Sequence, residues 1–243
     1  MATTPIVHVF ILCYNEEVLI KDTILHYKRY LPNCKITIYD NESTDSSVAI
    51  AISHGCDIVN WNSNDFIDDK QYIQIKDNCW KTLNDGEWAV VIDMDEWLCI
   101  TEVELAEEDA KGTTILNVEG CNVIGDSQNL DLSDIDLHGL NMAIRNWHWE
   151  SKNLCFKKGP ITDIRYGIGA HDCRPIGELK YSDRHYINKH MEFLGLPFII
   201  NKFRLRNQRI DYNADAKPGH YSLDVGFVTG RYNDSVRDCR PMF

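Results

Sequence analysis

The sequence has no run of about 18 apolar residues, so nothing in it reads as a membrane span. It has no excess of positive charge: 25 Lys and Arg stand against 37 Asp and Glu, a formal net charge of −12. That excludes a general nucleic-acid binder built on phosphate contacts. Its nine cysteines include no CxxC pair, which removes zinc-ribbon and thioredoxin-like sites. They are scattered singly, several within apolar runs, and predict free buried thiols in a reducing, cytoplasmic setting. There is no GxxxxGK[ST], and no GxGxxG follows the first apolar run, so neither a P-loop kinase nor a dinucleotide-binding dehydrogenase is expected. The opening MATTPIVHVFILCYNEE lacks a basic flank and is not expected to act as a signal peptide.

What is present is the composition of an ordinary globular chain, 243 residues with 44% hydrophobic and 26% charged. This suits one generous α/β domain, with or without a small appendage. Charge is uneven. Residues 1–140 carry 8 basic and 26 acidic side chains, and residues 141–243 carry 17 basic and 11 acidic. The first part suits a cation and the second an anion; plain solubility is the alternative.

The first 100 residues alternate strand and helix. Residues 6–12 form a near-continuous apolar run fit for a doubly buried strand. Asn15 is placed to cap a helix reaching about Tyr30. KITIY (35–39) predicts a second strand, Ser43-Thr44-Asp45 the cap of a second helix, and residues 57–61 a third strand. A third helix is expected from Asp69 to about Leu83, and WAVVI (88–92) predicts a fourth strand ending on Asp93. Further on, strands are expected at 115–119 and 142–148, loop over 122–138, and helices over 187–194 and 197–208. Residues 211–243 show little periodicity.

A βαβαβαβ order implies a parallel sheet with helices on its faces, and such sheets bind ligands at the carboxyl ends of their strands. Three polar clusters fall there: Tyr14-Asn15-Glu16, Asp40-Asn41-Glu42 and Asp93-Met94-Asp95-Glu96. In an extended segment Asp93 and Asp95 share a face. Two acids so close repel unless a cation lies between them, and Mg²⁺ or Mn²⁺ takes oxygen ligands of this kind. A turn with solvated acids is the plain alternative. A divalent ion beside a diphosphate neutralises charge developing on a leaving group.

CYNEE, IYDNESTDSS and EWAVVIDMDEW together resemble the nucleotide-sugar glycosyltransferases of the GT-A fold, of the family 2-like kind found in bacteria and large viruses. IQIKDNCWK (73–81), IGAHDCRPIG (168–177), NKHMEFLGLPF (188–198) and PGHY (218–221) extend the match less specifically. The resemblance implies a mostly parallel central sheet with helices on both faces and a smaller mixed acceptor-side region. It implies a donor half at 1–100, an acceptor half at 101–221 and a tail at 222–243. It also implies a metal-dependent transfer from a nucleoside-diphosphate sugar, UDP-sugar first, to a hydroxyl of a glycan or glycoconjugate. Tyr14, Asn15 and Glu16 match the first nucleoside-binding loop, Asp40 and Asn41 the second. The usual pattern has Asp-Gly where this chain has Asn41-Glu42. Asp93 and Asp95, around Met94, match the DxD pair. His190 matches a late metal-binding histidine, with His171 as its rival. Mn²⁺ is favoured over Mg²⁺ if an imidazole joins the shell.

An inverting transfer needs a base, for which Asp172 beside His171 is the first candidate and Glu96 and Glu150 the others. Lys76, with Asp77 and Asn78, lies on the third helix within reach of a nucleoside, and Trp80 is read as core. Lys202, Arg204, Arg206 and Arg209 form a basic helical run suited to a diphosphate or to solvent. Trp147, Trp149, His220 and Tyr221 are placed on the acceptor side, where aromatic faces stack on sugars. A nucleotidyltransferase acting on sugar phosphates is disfavoured by acids where a basic Gly-rich loop is needed (residues 13–21). A non-catalytic binding module is the third reading. The sequence leaves the sugar, the stereochemistry and the oligomeric state open.

Overall fold

The computed structural model describes residues 4–145, 151–210 and 224–242. The chain divides into two compact units. In the first unit, strand β1 (Val7–Cys13), helix α1 (Ile20–Tyr30), β2 (Lys35–Asp40), α2 (Ser47–Ser53), β3 (Asp57–Asn60), α3 (Asp69–Asn78) and β4 (Trp88–Asp93) follow in order. They are succeeded by β5 (Glu96–Cys99), α4 (Glu102–Ala110) and β6 (Ile115–Ile124). The second unit contains β7 (Met142–Arg145). Back in the first unit come β8 (Cys155–Lys157), β9 (Ile161–Asp163), β10 (Ile176–Gly177) and β11 (Tyr181–Phe193). The second unit closes with α5 (Leu196–Gln208), α6 (Val225–Asp238) and β12 (Arg240–Pro241). Strands β6 and β11 contribute residues to both units.

The strand order in the first unit is β6-β8-β4-β1-β2-β3. Strands β4, β1, β2 and β3 are mutually parallel, while β8 runs antiparallel to β4 and to β6. The unbroken apolar runs explain why β1 and β4 are central. Val9, Ile11, Val90 and Ile92 are fully buried, and the alternate residues Phe10, Ala89 and Val91 pack with Trp80, Phe156 and Ile161. Both faces of these strands are therefore core. The Trp80 indole meets Phe156 edge-on at 5.0 Å, as expected of a core tryptophan. The second unit has its own core, in which Phe193, Ile199, Phe203, Val228 and Tyr232 pack together.

Several expectations are corrected. Helix α1 starts at Ile20, five residues beyond Asn15, because Asn15 takes a left-handed conformation (φ 52°) and spends its side chain on another loop. Helix α2 starts at Ser47; Asp45 Oδ1 does accept from the Ser47 N–H at 2.9 Å. The third helix ends at Asn78 and tightens into a 3₁₀ turn over Cys79–Thr82. Residues 187–194 are not helical. Ile187, Met191 and Leu194 mimic a helical stripe, but β11 pairs antiparallel with β5, setting His190 opposite Glu96. Residues 225–238, without clear periodicity, form α6, capped by Asp224 accepting from the Gly226 N–H at 2.9 Å. Gly226 and Gly230 dilute its helical signal.

Candidate active site

The carboxyl ends of β1, β2 and β4 lie side by side. In register, Asp40 is opposite Cys13 and Asp93 opposite Leu12. The two acids thus flank β1, with backbones roughly 10 Å apart at about 4.8 Å per strand spacing. The loop after β1 is stitched to the loop after β2. The N–H groups of Asn15, Glu16 and Glu17 donate to Ser43 Oγ, Ser47 Oγ and Asp45 Oδ2 at 2.9, 2.8 and 3.0 Å. In return the Thr44 N–H donates to Asn15 Oδ1 at 2.8 Å, and the Ser46 N–H to Glu17 Oε2 at 3.1 Å. The hydroxyls of IYDNESTDSS are therefore partners for the backbone of CYNEE.

Asp40 is buried. Its Oδ2 accepts from the Ser43 N–H at 3.0 Å, whereas its Oδ1 has no hydrogen-bond partner among the described residues. Asn41 is buried beside it, and Tyr14, Asn15 and Glu16 are half-buried. Glu42 stands at φ 56°, which explains why a glycine suits that position. An open groove of about 340 Å³ on this unit is lined by Tyr39, Trp61, Gln71 and Gln74, with Tyr39 next in sequence to Asp40; none of the acids at the end of β4 lines it.

After Asp93 the chain turns rather than staying extended, so the shared face expected of Asp93 and Asp95 does not arise from strand alternation. Helix α1 fixes this turn. The Thr23 hydroxyl donates to the Met94 carbonyl at 2.8 Å and accepts from Trp97 Nε1 at 2.8 Å. The Tyr27 hydroxyl donates to the Glu96 carbonyl and accepts from the Leu98 N–H, both at 3.0 Å. Met94 is itself buried, so only its backbone faces the turn's partners.

The acids are not equivalent. Asp93 Oδ2 is 2.8 Å from Lys76 Nζ and 3.5 Å from Lys152 Nζ. Lys152 Nζ also meets Glu96 Oε1 at 2.7 Å, and Glu96 Oε2 accepts from the Asp93 N–H at 2.9 Å. Burial alone pushes the Asp93 carboxyl up, but the two ammonium groups outweigh it and hold the acid below the usual carboxylate range. Asp95 lies outside this ring, its Oδ2 3.3 Å from His190 Nε2.

The chemistry of this donor set decides what a cation would meet. Asp95 and His190 are an oxygen and an imidazole nitrogen, fit for Mn²⁺. Asp93 Oδ2 is engaged by two ammonium groups, so a divalent ion at this carboxylate would meet their positive charge. Among the described residues no group of three or more His, Cys, Asp or Glu side chains is gathered to hold a metal. The expected trio of Asp93, Asp95 and His190 therefore divides, with Asp93 on the lysine side.

His171 and Asp172 lie on a short turn between β9 and β10. Tyr166 anchors that segment at both ends: its N–H donates to Asp77 Oδ1 and its hydroxyl to the Asn153 carbonyl, each at 2.9 Å. Asp77 adjoins Lys76 and Asn153 adjoins Lys152, so the segment is tied beside both lysines that hold Asp93. Asp172 is exposed; its carbonyl accepts from the Gly167 N–H at 2.9 Å, and its carboxylate lies so close over Gly167 that an added Cβ would meet it at 2.0 Å. Glu96 is fully buried and ion-paired, which removes it as an exposed base.

The basic run divides too, within the second unit. Lys202 is buried over the Phe198 ring, and Arg209 ties down Ser63, Asp65 and Phe66. Trp147, Trp149, Glu150, His220 and Tyr221 lie outside the described residues. The sequence reading missed Lys152, Thr23, Tyr27 and Tyr166. Lys152 carries no motif, and the other three sit in apolar patterns that read as core.

No family model and no curated protein sequence matches the chain. Among solved structures, Staphylococcus aureus TarS 1–349 in complex with UDP matches 96% of this chain and 73% of its own, at 15% identity and a TM-score of 0.50. The fold is GT-A. A longer TarS structure matches 94% of this chain at 15% identity and a TM-score of 0.49, and this chain spans 43% of its length. Glucosyl-3-phosphoglycerate synthase from Mycobacterium tuberculosis, in complex with Mn²⁺, UDP-Glc and phosphoglyceric acid, matches 48% of this chain and 44% of its own, at 17% identity and a TM-score of 0.34. In this chain the four parallel strands form the centre of the sheet, and the acids described above stand at its carboxyl edge.

Proposed function

We propose that this protein is a glycosyltransferase that moves a sugar from a nucleoside-diphosphate sugar, UDP-sugar first, to a hydroxyl of a glycan or glycoconjugate acceptor. One observation carries the reading: Asp40, Asp93 and the Asp95–His190 pair are built at neighbouring strand ends of a GT-A core. The unpartnered Asp40 Oδ1 is suited to accept from an N–H or hydroxyl of the nucleoside. Tyr14 and Asn41 line the same corner, and residues 1–100 form the donor half.

Asp95 and His190 would hold the Mn²⁺ (or Mg²⁺), which supplies charge neutralisation for the departing diphosphate. Asp172, on the segment that Tyr166 ties beside the lysines, takes the acceptor hydroxyl proton, with His171 next to it. As the acceptor oxygen bonds to the anomeric carbon, the bond from that carbon to the diphosphate oxygen breaks, its electron pair leaves with the nucleotide, and Asp172 becomes protonated. This route inverts configuration. The acceptor region is proposed to extend through residues 101–221, with Trp147, Trp149, His220 and Tyr221 proposed to contact the acceptor. Within the stretch expected as a tail, α6 packs Val228 and Tyr232 into the core of the second unit. None of the nine cysteines forms a disulfide, which supports a reducing compartment, proposed as the cytoplasm; no described helix is long and apolar enough to cross a membrane.

The test is a panel of UDP-, GDP- and dTDP-sugars incubated with the protein and Mn²⁺, reading nucleoside diphosphate release. Slow release from one donor, accelerated by an acceptor glycan, is expected, and Asp172→Asn should lower kcat about 10²-fold or more with donor binding intact. Silence across the panel, with and without acceptors, overturns the assignment.

A further inference from the structure

The groove beside Tyr39 has no part in the proposed transfer, and its lining has a definite chemistry. It lies wholly within the first unit. Gln71, Gln74 and Asn78 line it from one face of α3, and Thr82 on the following 3₁₀ turn continues the row. At about 1.5 Å per residue this row runs roughly 16 Å, the length of a chain rather than of a single ring. Tyr39 on β2 and Trp61 just after β3 complete the lining. Trp61 is half-buried yet firmly held. Its backbone N–H donates to the Asp40 carbonyl at 2.9 Å, its Nε1–H donates to the Tyr39 carbonyl at 3.3 Å, and its ring meets Tyr72 edge-on at 5.1 Å. An aromatic fixed in this way loses little freedom when a ligand stacks on it. The volume, about 340 Å³, is that of a small-ligand site. No side chain lining the groove is charged, in a chain of net charge −12. A phosphate would find no cation there, and a basic peptide no acid. A purely apolar ligand would strip water from the amides and replace none of their hydrogen bonds. The matching ligand is neutral, with hydroxyls for the amides and C–H faces for the indole, which is a carbohydrate.

We propose that this groove is a carbohydrate-binding subsite away from the reacting centre, which holds a neutral oligosaccharide stretch of the acceptor by stacking on Trp61 and by hydrogen bonds to the amides of Gln74 and Asn78. That the bound chain is the acceptor rests on the proposed transfer; that the groove takes sugar does not. Tyr39 and Trp61 tie one end of the groove to Asp40, by sequence and by hydrogen bond. A chain anchored along α3 is therefore kept near the strand ends where its hydroxyl reacts. Such tethering raises the local concentration of acceptor without entering the chemistry. It acts on the KM of long acceptors and leaves kcat alone.

Binding measured without any nucleotide tests this. Neutral cello-, malto-, xylo- and chito-oligosaccharides, tetra- to hexasaccharides, are titrated into ¹⁵N-labelled protein. The indole N–H signal of Trp61, identified as the one missing from Trp61→Phe, should shift and saturate with at least one of them. Gln74 is an exposed helical position where alanine is well tolerated. Gln74→Ala should keep the fold and weaken that sugar about threefold, the scale of one neutral hydrogen bond. Trp61→Ala should weaken it about fivefold or more, with UDP binding unchanged in both variants. In turnover, Trp61→Ala should raise the KM of a long acceptor about fivefold at unchanged kcat, and an unchanged KM overturns the acceptor assignment. A panel in which no sugar moves the Trp61 signal overturns the subsite. So does a bound sugar that UDP displaces, because the groove would then belong to the nucleotide site. Sugar binding at Trp61 in a protein that turns over no donor keeps the subsite and removes the proposed function. Sugar transfer with a Trp61 signal indifferent to every oligosaccharide does the reverse.

Discussion

Glu42 occupies a backbone conformation that costs a side-chain-bearing residue about 1–2 kcal/mol. It is exposed, and among the described residues no hydrogen bond to its side chain offsets that cost in the way Asn15 offsets its own by accepting from Thr44. Glu42→Gly should therefore stabilise the fold by roughly 0.5–1 kcal/mol after the greater chain entropy of glycine is counted. Chemical denaturation reads this directly, and a lower midpoint would mean that the Glu42 side chain contributes something its exposure hides. The residue scale is also where the sequence was most legible for the site. Asp40, Asp93 and Asp95 were identifiable because chain order alone puts them at strand ends. Their unequal surroundings were not legible, because these depend on Lys152, which approaches from 59 residues beyond Asp93 and belongs to no pattern.

At the scale of elements, α1 acts as a jig for the turn after β4. Thr23 and Tyr27 are one helical turn apart on the same face and hold the carbonyls of Met94 and Glu96. Thr23→Val keeps the shape but removes the hydroxyl, leaving the Met94 carbonyl and the Trp97 N–H without it. The expected cost is about 1–3 kcal/mol in stability, together with weaker UDP binding, since Asp95 sits in the turn that is released. A stability loss with unchanged UDP affinity would confine Thr23 to the core. The strands and helices of the first 93 residues follow from periodicity, because each buried strand is an apolar run bounded by polar clusters. Strand β11 did not follow, since Ile187, Met191 and Leu194 carry helical spacing and only the pairing with β5 decides the matter. Helix α6 was illegible for the opposite reason: its glycines and β-branched residues weaken the local signal, and burial of Val228 and Tyr232 supplies what propensity lacks.

For the molecule as a whole, acid stability is set by carboxylates whose native partners keep them ionised. Burial pushes Glu108 up, but its hydrogen bonds from Lys111, Thr113 and Tyr186 prevail and lower it. Glu104 is lowered in the same way, through Thr101 and Arg184. Both tie α4 to neighbouring structure, including β11 through Tyr186 and Arg184. A native pKa below the unfolded value means that the unfolded chain binds more protons as pH falls. The contribution is complete above about pH 4.3, the ordinary glutamate value, and disappears as pH drops through the lowered one. Thermal midpoints should thus fall steeply below about pH 4.5, and Glu108→Gln should be destabilised at pH 7 yet show a shallower acid slope. Parallel slopes for the two proteins would remove Glu108 from the acid response.

The two loops that follow β1 and β2 hold each other through six side-chain-to-backbone hydrogen bonds among the described residues. They behave as one cassette. A chimera that borrows CYNEE from a relative while keeping the native IYDNESTDSS would sever that lacing, so any graft meant to alter what this corner recognises has to carry both segments together.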